Sequence, residues 1–343
     1  MRIVVYGICR DEARHVERFM ASTTGADAVV ICDTGSTDGT QAILRAHGAI
    51  VHDIDVSPWR FDLARNMALT YVPPDADVAI SMDLDEVLVD GWREIIEANW
   101  RPGTTMLRYP FVHNWEDAAQ TVPRLSVWGF KVHCPRTYLW RYPIHETLEL
   151  REGASESIVV LNKELIHHRP DPQKAERWSR IGLLESAAKE YPDDQRMAHL
   201  YGRELWFHGR HQEAIVELKR HLSITHPYAD PPEDLAGIGQ TRSTSCRLIG
   251  RSLMALSGRP DDVMVWLLRA VAESPSQREP WMWLAYGWLL VGDCDSALAA
   301  ANRGLAITDR LRSVEIEERC WDRRALELLR DIRRAKRGDK RGQ

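Results

Sequence analysis

Ala79-Ile80-Ser81-Met82-Asp83-Leu84-Asp85-Glu86-Val87-Leu88 opens as an apolar run and then places three carboxylates within four residues. A run this short and apolar predicts a buried strand. Side chains on a strand alternate faces, so Asp83 and Asp85 are expected to leave the strand end on the same side. Two carboxylates held together repel, and a hard divalent cation keeps both ionised. Such a cation, given one or two protein carboxylates, takes its other ligands from water and phosphate oxygens. The stretch is therefore a candidate for metal-assisted chemistry on a diphosphate. The same triplet also suits a turn that opens a helix near Asp90-Gly91-Trp92.

Moving outward, the preceding chain alternates strand and helix. Arg2 to Ile8, Ala28 to Cys32, Ala49 to Asp53 and Val78 to Met82 read as strands. Glu12 to Ala21, Gln41 to His47 and Asp62 to Tyr71 have helical spacing. Asp33-Thr34-Gly35-Ser36-Thr37-Asp38-Gly39-Thr40 is a turn by composition, with glycines for unusual dihedrals and a Ser or Thr to cap the next helix. This alternation predicts an α/β layer with a largely parallel sheet. Ligands in such sheets sit at the carboxyl ends of the strands. The loops at Cys9–Glu12, Asp33–Thr40 and Asp83–Glu86 all lie there. From Thr104 to His168 short β-prone runs (Thr105–Val112, Arg124–Val132, Tyr138–Tyr142, Ile158–Ile166) are broken by Pro and Gly, and read as an extension closing over the parallel half.

After His168 the chain turns helical, with Pro170-Asp171-Pro172 as the break. Two domains are expected, 1–170 and 171–343. Gly209, Gly258 and Gly292 each fall between two amphipathic stretches, and the step from Gly258 to Gly292 equals the tetratricopeptide period. The longer step from Gly209 reflects an insertion around Pro227–Gly239. A final helix is expected near Val314–Lys336. Trp281, Trp283, Tyr286 and Trp288 are expected to pack between repeats.

The apolar fraction is 44%, the charged fraction 28% and the net charge −5, which argues against a general nucleic-acid or anionic-membrane binder. The basic run Arg333 to Arg341 is the exception, read first as a solubility device and second as a contact for a phosphate-rich partner. Six scattered cysteines without a C-x-x-C pair fit a reducing compartment. With no signal-peptide layout in residues 1–8 and no span-length apolar stretch, a cytoplasmic protein is expected.

Taken together, Asp11-Glu12, Asp33 to Thr40, Phe61-Asp62 with Ala64-Arg65-Asn66, and Asp83-Leu84-Asp85-Glu86 stand in an order that resembles glycosyltransferase family 2. The resemblance is greatest to the bacterial and phage branch that carries tetratricopeptide-like helices after a short catalytic domain. It implies a GT-A fold (a Rossmann-like mixed sheet) followed by an all-α helical domain. It also implies an NDP-sugar donor, with UDP the first expectation, and inversion at the anomeric carbon. Asp11, Glu12, Asp33, Arg65 and Asp83 would bind the nucleotide-sugar, with Asp33 on the base, Asp83 near the ribose and Arg65 against the nucleotide or its diphosphate. Asp85 would hold Mn²⁺ or Mg²⁺. Asp11 stands where relatives usually have Asn.

The resemblance also implies Glu146, in Tyr142-Pro143-Ile144-His145-Glu146-Thr147, as the base that deprotonates the acceptor hydroxyl. Pairing of Glu146 with Arg141 or Arg151 is the structural alternative. Relatives often have a histidine near His167-His168 that reaches back to the metal. Only one of two adjacent strand residues can face inward, and His167 is the expected ligand. The acceptor is expected to be a protein bound by the repeats, or a glycan or lipid-linked envelope component. A non-catalytic repeat scaffold with a degenerate transferase domain is the competing class, and a sugar nucleotidyltransferase would need a glycine- and arginine-rich loop that Cys9–Arg14 lacks.

Overall fold

A computed structural model describes residues 1–170, 180–224, 232–309 and 317–338 of the 343. Outside them lie most of the Pro170–Pro172 break, the insertion before Pro232, the expected start of the last helix and the basic tail beyond Gly338. The chain divides into two compact units, Met1–Ser179 and Arg180–Gln343.

The first unit is built around β1 (Ile3–Cys9), buried along its whole length. Alternation sends Ile3, Val5 and Cys9 to one face and Val4, Tyr6 and Ile8 to the other, and each face meets its own apolar cluster. Helices α1 (Ala13–Ser22) and α2 (Thr40–Ala46) cover the first face, where Val16, Phe19 and Leu44 are fully buried. Helix α3 (Phe61–Thr70) covers the second through Ala64, Ala68 and Leu69. Burying a side chain such as Phe19 completely stabilises the layer by about 2 kcal/mol.

Strands β2 (Ala28–Asp33), β3 (Ile50–Asp53) and β4 (Val78–Ser81) pair parallel in the order β3-β2-β1-β4. The rest of the sheet is mixed. Strand β5 (Glu86–Leu88) and helix α4 (Trp92–Asn99) follow the acidic turn, and β6 (Met106–Trp115) and β7 (Pro123–His133) form a long antiparallel pair that joins the sheet at β4. Strands β8 (Tyr138–Arg141) and β9 (Thr147–Leu150) make a separate hairpin. The run expected over Ile158–Ile166 is two strands, β10 (Ile158–Val160) and β11 (Ile166–His168), both parallel to β6. β11 also pairs antiparallel with β5, so Glu86 begins a strand and not a helix. The sheet is thus half parallel and half mixed.

Gly7 marks the closest approach inside this sheet. A Cβ there would stand 2.1 Å from the Met82 carbonyl oxygen, while the Met82 N–H donates to the Tyr6 carbonyl at 2.9 Å. Only glycine lets the chain leave β4 across β1 this tightly.

The second unit is helical: α5 (Ile181–Glu190), α6 (Gln195–Phe207), α7 (His211–Ser223), α8 (Pro232–Ala255), α9 (Pro260–Glu273), α10 (Arg278–Leu290), α11 (Cys294–Leu305), a 3₁₀ turn (Glu318–Cys320) and α12 (Arg323–Lys336). Asp194 and Asp293 cap α6 and α11 by accepting from the Met197 and Ser296 N–H groups. Each of the three expected glycines falls in a turn between helices. Gly209 and Gly292 take left-handed backbone (φ 70° and 84°), but in the middle turn Ser257 does so instead (φ 54°). Trp283 is buried in the α9–α12 core, with Trp281, Tyr286 and Trp288 packed against it, as expected for packing between helices. Among the described residues no helix is long and apolar enough to cross a membrane.

All six cysteines are free thiols: Cys9, Cys32, Cys246 and Cys320 are buried, Cys134 and Cys294 half-buried. Burial pushes the thiols of Cys32, Cys246 and Cys320 up to about 12.

Candidate active site

The carboxyl ends of β1, β2 and β4 bring their loops together. After β1, Asp11 takes left-handed backbone (φ 52°), which Asp and Asn tolerate alike. Its N–H donates to Ser36 Oγ (2.8 Å), and its Oδ1 accepts from the Thr37 N–H (2.8 Å). The N–H of Glu12 donates to Thr40 Oγ1 (2.8 Å) and that of Ala13 to Asp38 Oδ2 (3.0 Å). The second loop therefore satisfies the N-terminal N–H groups of α1 that the helix leaves open. Asp33 is fully buried, and its Oδ1 accepts from the Gly35 and Ser36 N–H groups (2.9 and 2.8 Å) and from Gln41 Nε2 (2.9 Å). Burial alone would raise its pKa, yet the hydrogen bonds centred on Ser36 and Gln41 hold it below the usual carboxylate range. Asp33 thus clasps the loop that follows β2.

The acidic triplet does not act as one cluster. β4 stops at Ser81 and residues 83–86 form a turn, closed by the Glu86 N–H donating to the Asp83 carbonyl (3.0 Å), so strand alternation no longer governs the side chains. Asp83 Oδ1 accepts from Arg65 NH2 (2.8 Å) and Oδ2 from Lys131 Nζ (3.3 Å). Lys131, on β7, also donates to Glu86 Oε1 (2.5 Å). The other arm of Arg65, Nε, donates to Glu146 Oε1 (2.6 Å). Arg65 is only 5% exposed and forms a buried bridge between two carboxylates. Burial would lower its pKa, but Asp83 and Glu146 keep the guanidinium firmly charged. Against burial, Arg65 and then Lys131 hold Asp83 well below its ordinary value, while burial leaves Glu86 raised.

Glu146 pairs with Arg65 and with neither of the arginines considered from sequence; Arg141 bonds Glu149 instead. It sits in a loop where Tyr142 (φ 80°) and His145 (φ 54°) hold left-handed backbone, anchored by the Phe61 N–H donating to the Pro143 carbonyl (2.9 Å).

Asp85 faces a different neighbour. Its Oδ2 lies 3.4 Å from His168 Nε2, whereas His167 Nε2 is 2.6 Å from Glu164 Oε2. The inward histidine is therefore His168, correcting the expected His167. Burial disfavours the imidazolium of His168, but the hydrogen bond and charge of Asp85 outweigh it and raise its pKa. His113 stacks on His168 with ring centroids 5.3 Å apart. Two arginines not singled out by sequence lie close by: Arg18 donates to the Arg169 carbonyl (2.8 Å), and the Arg169 N–H donates to the Asp85 carbonyl (2.7 Å).

Among the described residues no group of three or more His, Cys, Asp or Glu side chains is placed to hold a metal ion. The convergent pair Asp85–His168 nonetheless suits a divalent cation that takes its other ligands from water and a diphosphate. Asp83, with both oxygens engaged by cations, does not.

No family model and no curated protein matches the chain. Solved structures that it resembles include S. aureus TarS (TM-score 0.38, 12% identity, 80% of this chain and 53% of that one). YrrB, a TPR protein with an unusual peptide-binding site, is similar at a TM-score of 0.34 (12% identity, 47% of this chain and 69% of that one). MamA is similar at 0.32 (13% identity, 47% of this chain and 90% of that one). All three scores fall below 0.5, and the case for a function has to come from the residues of this chain.

Proposed function

We propose that the chain is a metal-dependent, inverting glycosyltransferase of GT-A type that moves a sugar from an NDP-sugar to an acceptor hydroxyl. The observation that carries this reading is the Arg65 bridge, which locks Asp83 on the β4 turn and Glu146 on the loop after β8 into one constellation. Asp85 and His168 would hold Mn²⁺ or Mg²⁺, and Arg18 and Arg169 add positive charge where a diphosphate would lie. The metal would supply Lewis-acid stabilisation of the leaving diphosphate. Asp83 would reach the ribose side of the donor with its partly exposed carboxylate, and the clasped Asp11–Glu12 and Asp33–Thr40 loops would frame the nucleotide. Arg65 fixes Glu146 through Oε1 alone, leaving Oε2 to take the proton from the acceptor hydroxyl. The acceptor is a protein or a glycan or lipid-linked component, which the helical unit would help to recruit.

The test is NDP release from UDP-, GDP- and dTDP-hexoses with Mn²⁺ or with EDTA. Mn²⁺-dependent release from one donor is expected, abolished by Glu146→Gln with donor binding retained. Release indifferent to Mn²⁺ across the panel would refute the reading and favour a repeat scaffold.

A further inference from the structure

The pair Asp85–His168 stands on a short support. Strand β11 has three residues and meets β6 at one register position, His167 opposite Val112. Its longer pairing is to β5, itself only three residues long. A strand end this short frays unless groups outside the ladder hold it. His168 is held first by its ring. Its Nδ1 lies 3.0 Å from the His113 carbonyl, and a carbonyl only accepts, so Nδ1 donates and Nε2 is the nitrogen left to face Asp85. His113 sits on β6, where the register against β7 slips between Val112 and Asn114 and again between Asn114 and Trp115. Irregularities of this kind re-aim the side chains around them.

Trp115 follows the second slip. Its Nε1 donates to the His168 carbonyl (2.6 Å), its ring meets His167 edge-on with centroids 5.3 Å apart, and the Arg169 guanidinium lies over it at 4.4 Å. The tip of the β6–β7 hairpin continues the grip. Asp117 Oδ1 accepts from the Thr121 and Val122 N–H groups (2.9 and 2.8 Å) and fixes the tip, where Gln120 takes left-handed backbone (φ 56°). The Gln120 carbonyl accepts from Arg169 NH1 (2.7 Å), and Gln120 Nε2 donates to the Pro170 carbonyl (2.9 Å). One hairpin therefore holds three consecutive residues, His168, Arg169 and Pro170. The Arg169 N–H in turn donates to the Asp85 carbonyl (2.7 Å), which ties both members of the pair to the same hold.

We propose that Trp115 is a positioning residue for a divalent cation at Asp85 and His168, acting through the His168 main chain; this rests on the cation site of the transferase reading. The indole N–H and the His113 carbonyl fix His168 at two points, main chain and ring, so that Nε2 keeps its direction towards Asp85. Groups that orient a ligand without touching the metal set its affinity by about ten- to a hundredfold. An imidazole ligand matters more to Mn²⁺ than to Mg²⁺, which favours oxygen ligands and keeps its waters. The balance between the two cations therefore reports the aim of His168 separately from the soundness of the fold.

The experiment titrates the full chain with Mn²⁺ alone, followed by the electron paramagnetic resonance of the free ion, and then displaces it with Mg²⁺. Trp115→Phe keeps a ring under Arg169 and removes the N–H donor. It is expected to weaken Mn²⁺ binding about tenfold and Mg²⁺ binding much less, so that less Mg²⁺ displaces the Mn²⁺. Gln120→Ala, which releases Pro170 and leaves the indole in place, should act in the same direction more weakly, and it carries the test if the first variant does not accumulate. Trp128→Phe, at an exposed tryptophan on β7 of the same hairpin, should change neither affinity. Wild-type Mn²⁺ affinity in Trp115→Phe would overturn the inference and leave the cation site standing. A parallel loss of Mn²⁺ and Mg²⁺ binding, or an equal loss in Trp128→Phe, would reduce Trp115 to a structural role and overturn it too. Absence of saturable Mn²⁺ binding in the wild type would overturn the cation site itself, and this inference with it.

Discussion

Arg65→Met keeps the apolar stem of the side chain and deletes its charge. Arg65 bridges Glu146 (2.6 Å) and Asp83 (2.8 Å), with side-chain exposures of 6%, 13% and 37% in the order Arg65, Glu146, Asp83. After the substitution Asp83 keeps Lys131, whereas Glu146 loses the one ion-pair partner it has among the described residues. Removing one member of a buried ion pair costs about 3–5 kcal/mol. Water reaches Glu146 to some extent, so the lower end, about 3 kcal/mol, is expected. In a Glu146→Gln background no charge is stranded on that side, and the same change should cost about 1 kcal/mol. The coupling between the two sites is then about 2 kcal/mol, readable from urea unfolding of wild type, both single variants and the double variant at pH 7. Asp83→Asn should couple to Arg65 more weakly, since Asp83 is more exposed and has a second cation. A coupling to Glu146 below about 0.5 kcal/mol would refute the picture of Arg65 as a bridge.

Other outcomes follow from particular side chains. Burial lowers the pKa of fully buried His133 to about 4, so the unfolded chain takes up the proton first as pH falls. Stability from this group is complete above pH 6.5 and is lost on going down towards pH 4, by about 3 kcal/mol in all; His133→Gln should flatten that part of the stability–pH curve, and an unchanged curve would remove His133 as its source. Gly7→Ala has no room beside the Met82 carbonyl and should cost several kcal/mol or prevent accumulation of folded protein, whereas near-wild-type urea stability would show that β1 and β4 can part. Mn²⁺ is expected to raise the melting temperature, an effect lost in Asp85→Asn and His168→Ala and retained in His167→Ala. Retention in His168→Ala would take that histidine out of the site.

The parallel half of the fold was legible because β1, β2 and β4 are buried nearly throughout and read as apolar runs, closed by turn residues that can clasp a loop. The helical hairpins were legible from glycine spacing, although the middle turn places Ser257 and not Gly258 in the left-handed region. The histidine assignment failed for a definite reason. Leu165 and Ile166 are both fully buried, so alternation counted from Leu165 turns His167 inward and counted from Ile166 turns His168 inward. Pairing with β5, a strand that the sequence did not announce, accompanies the second choice. Lys131 carried no motif; it matters because β7 returns beside β4, a long-range pairing that local pattern does not contain. Glu86 read as a third member of an acidic cluster, yet it is buried against Lys131.

The distribution of thiols has a practical consequence. Cys9 and Cys32 are sealed in the sheet unit, and Cys246 and Cys320 in the helical one, while Cys134 and Cys294 remain partly accessible, one in each unit. Alkylation needs the thiolate, which burial withholds. Pulsed alkylation in rising urea, read by mass spectrometry, would therefore clock the opening of each half separately within the intact chain. No engineered label is required, because the native cysteines already form the gauge.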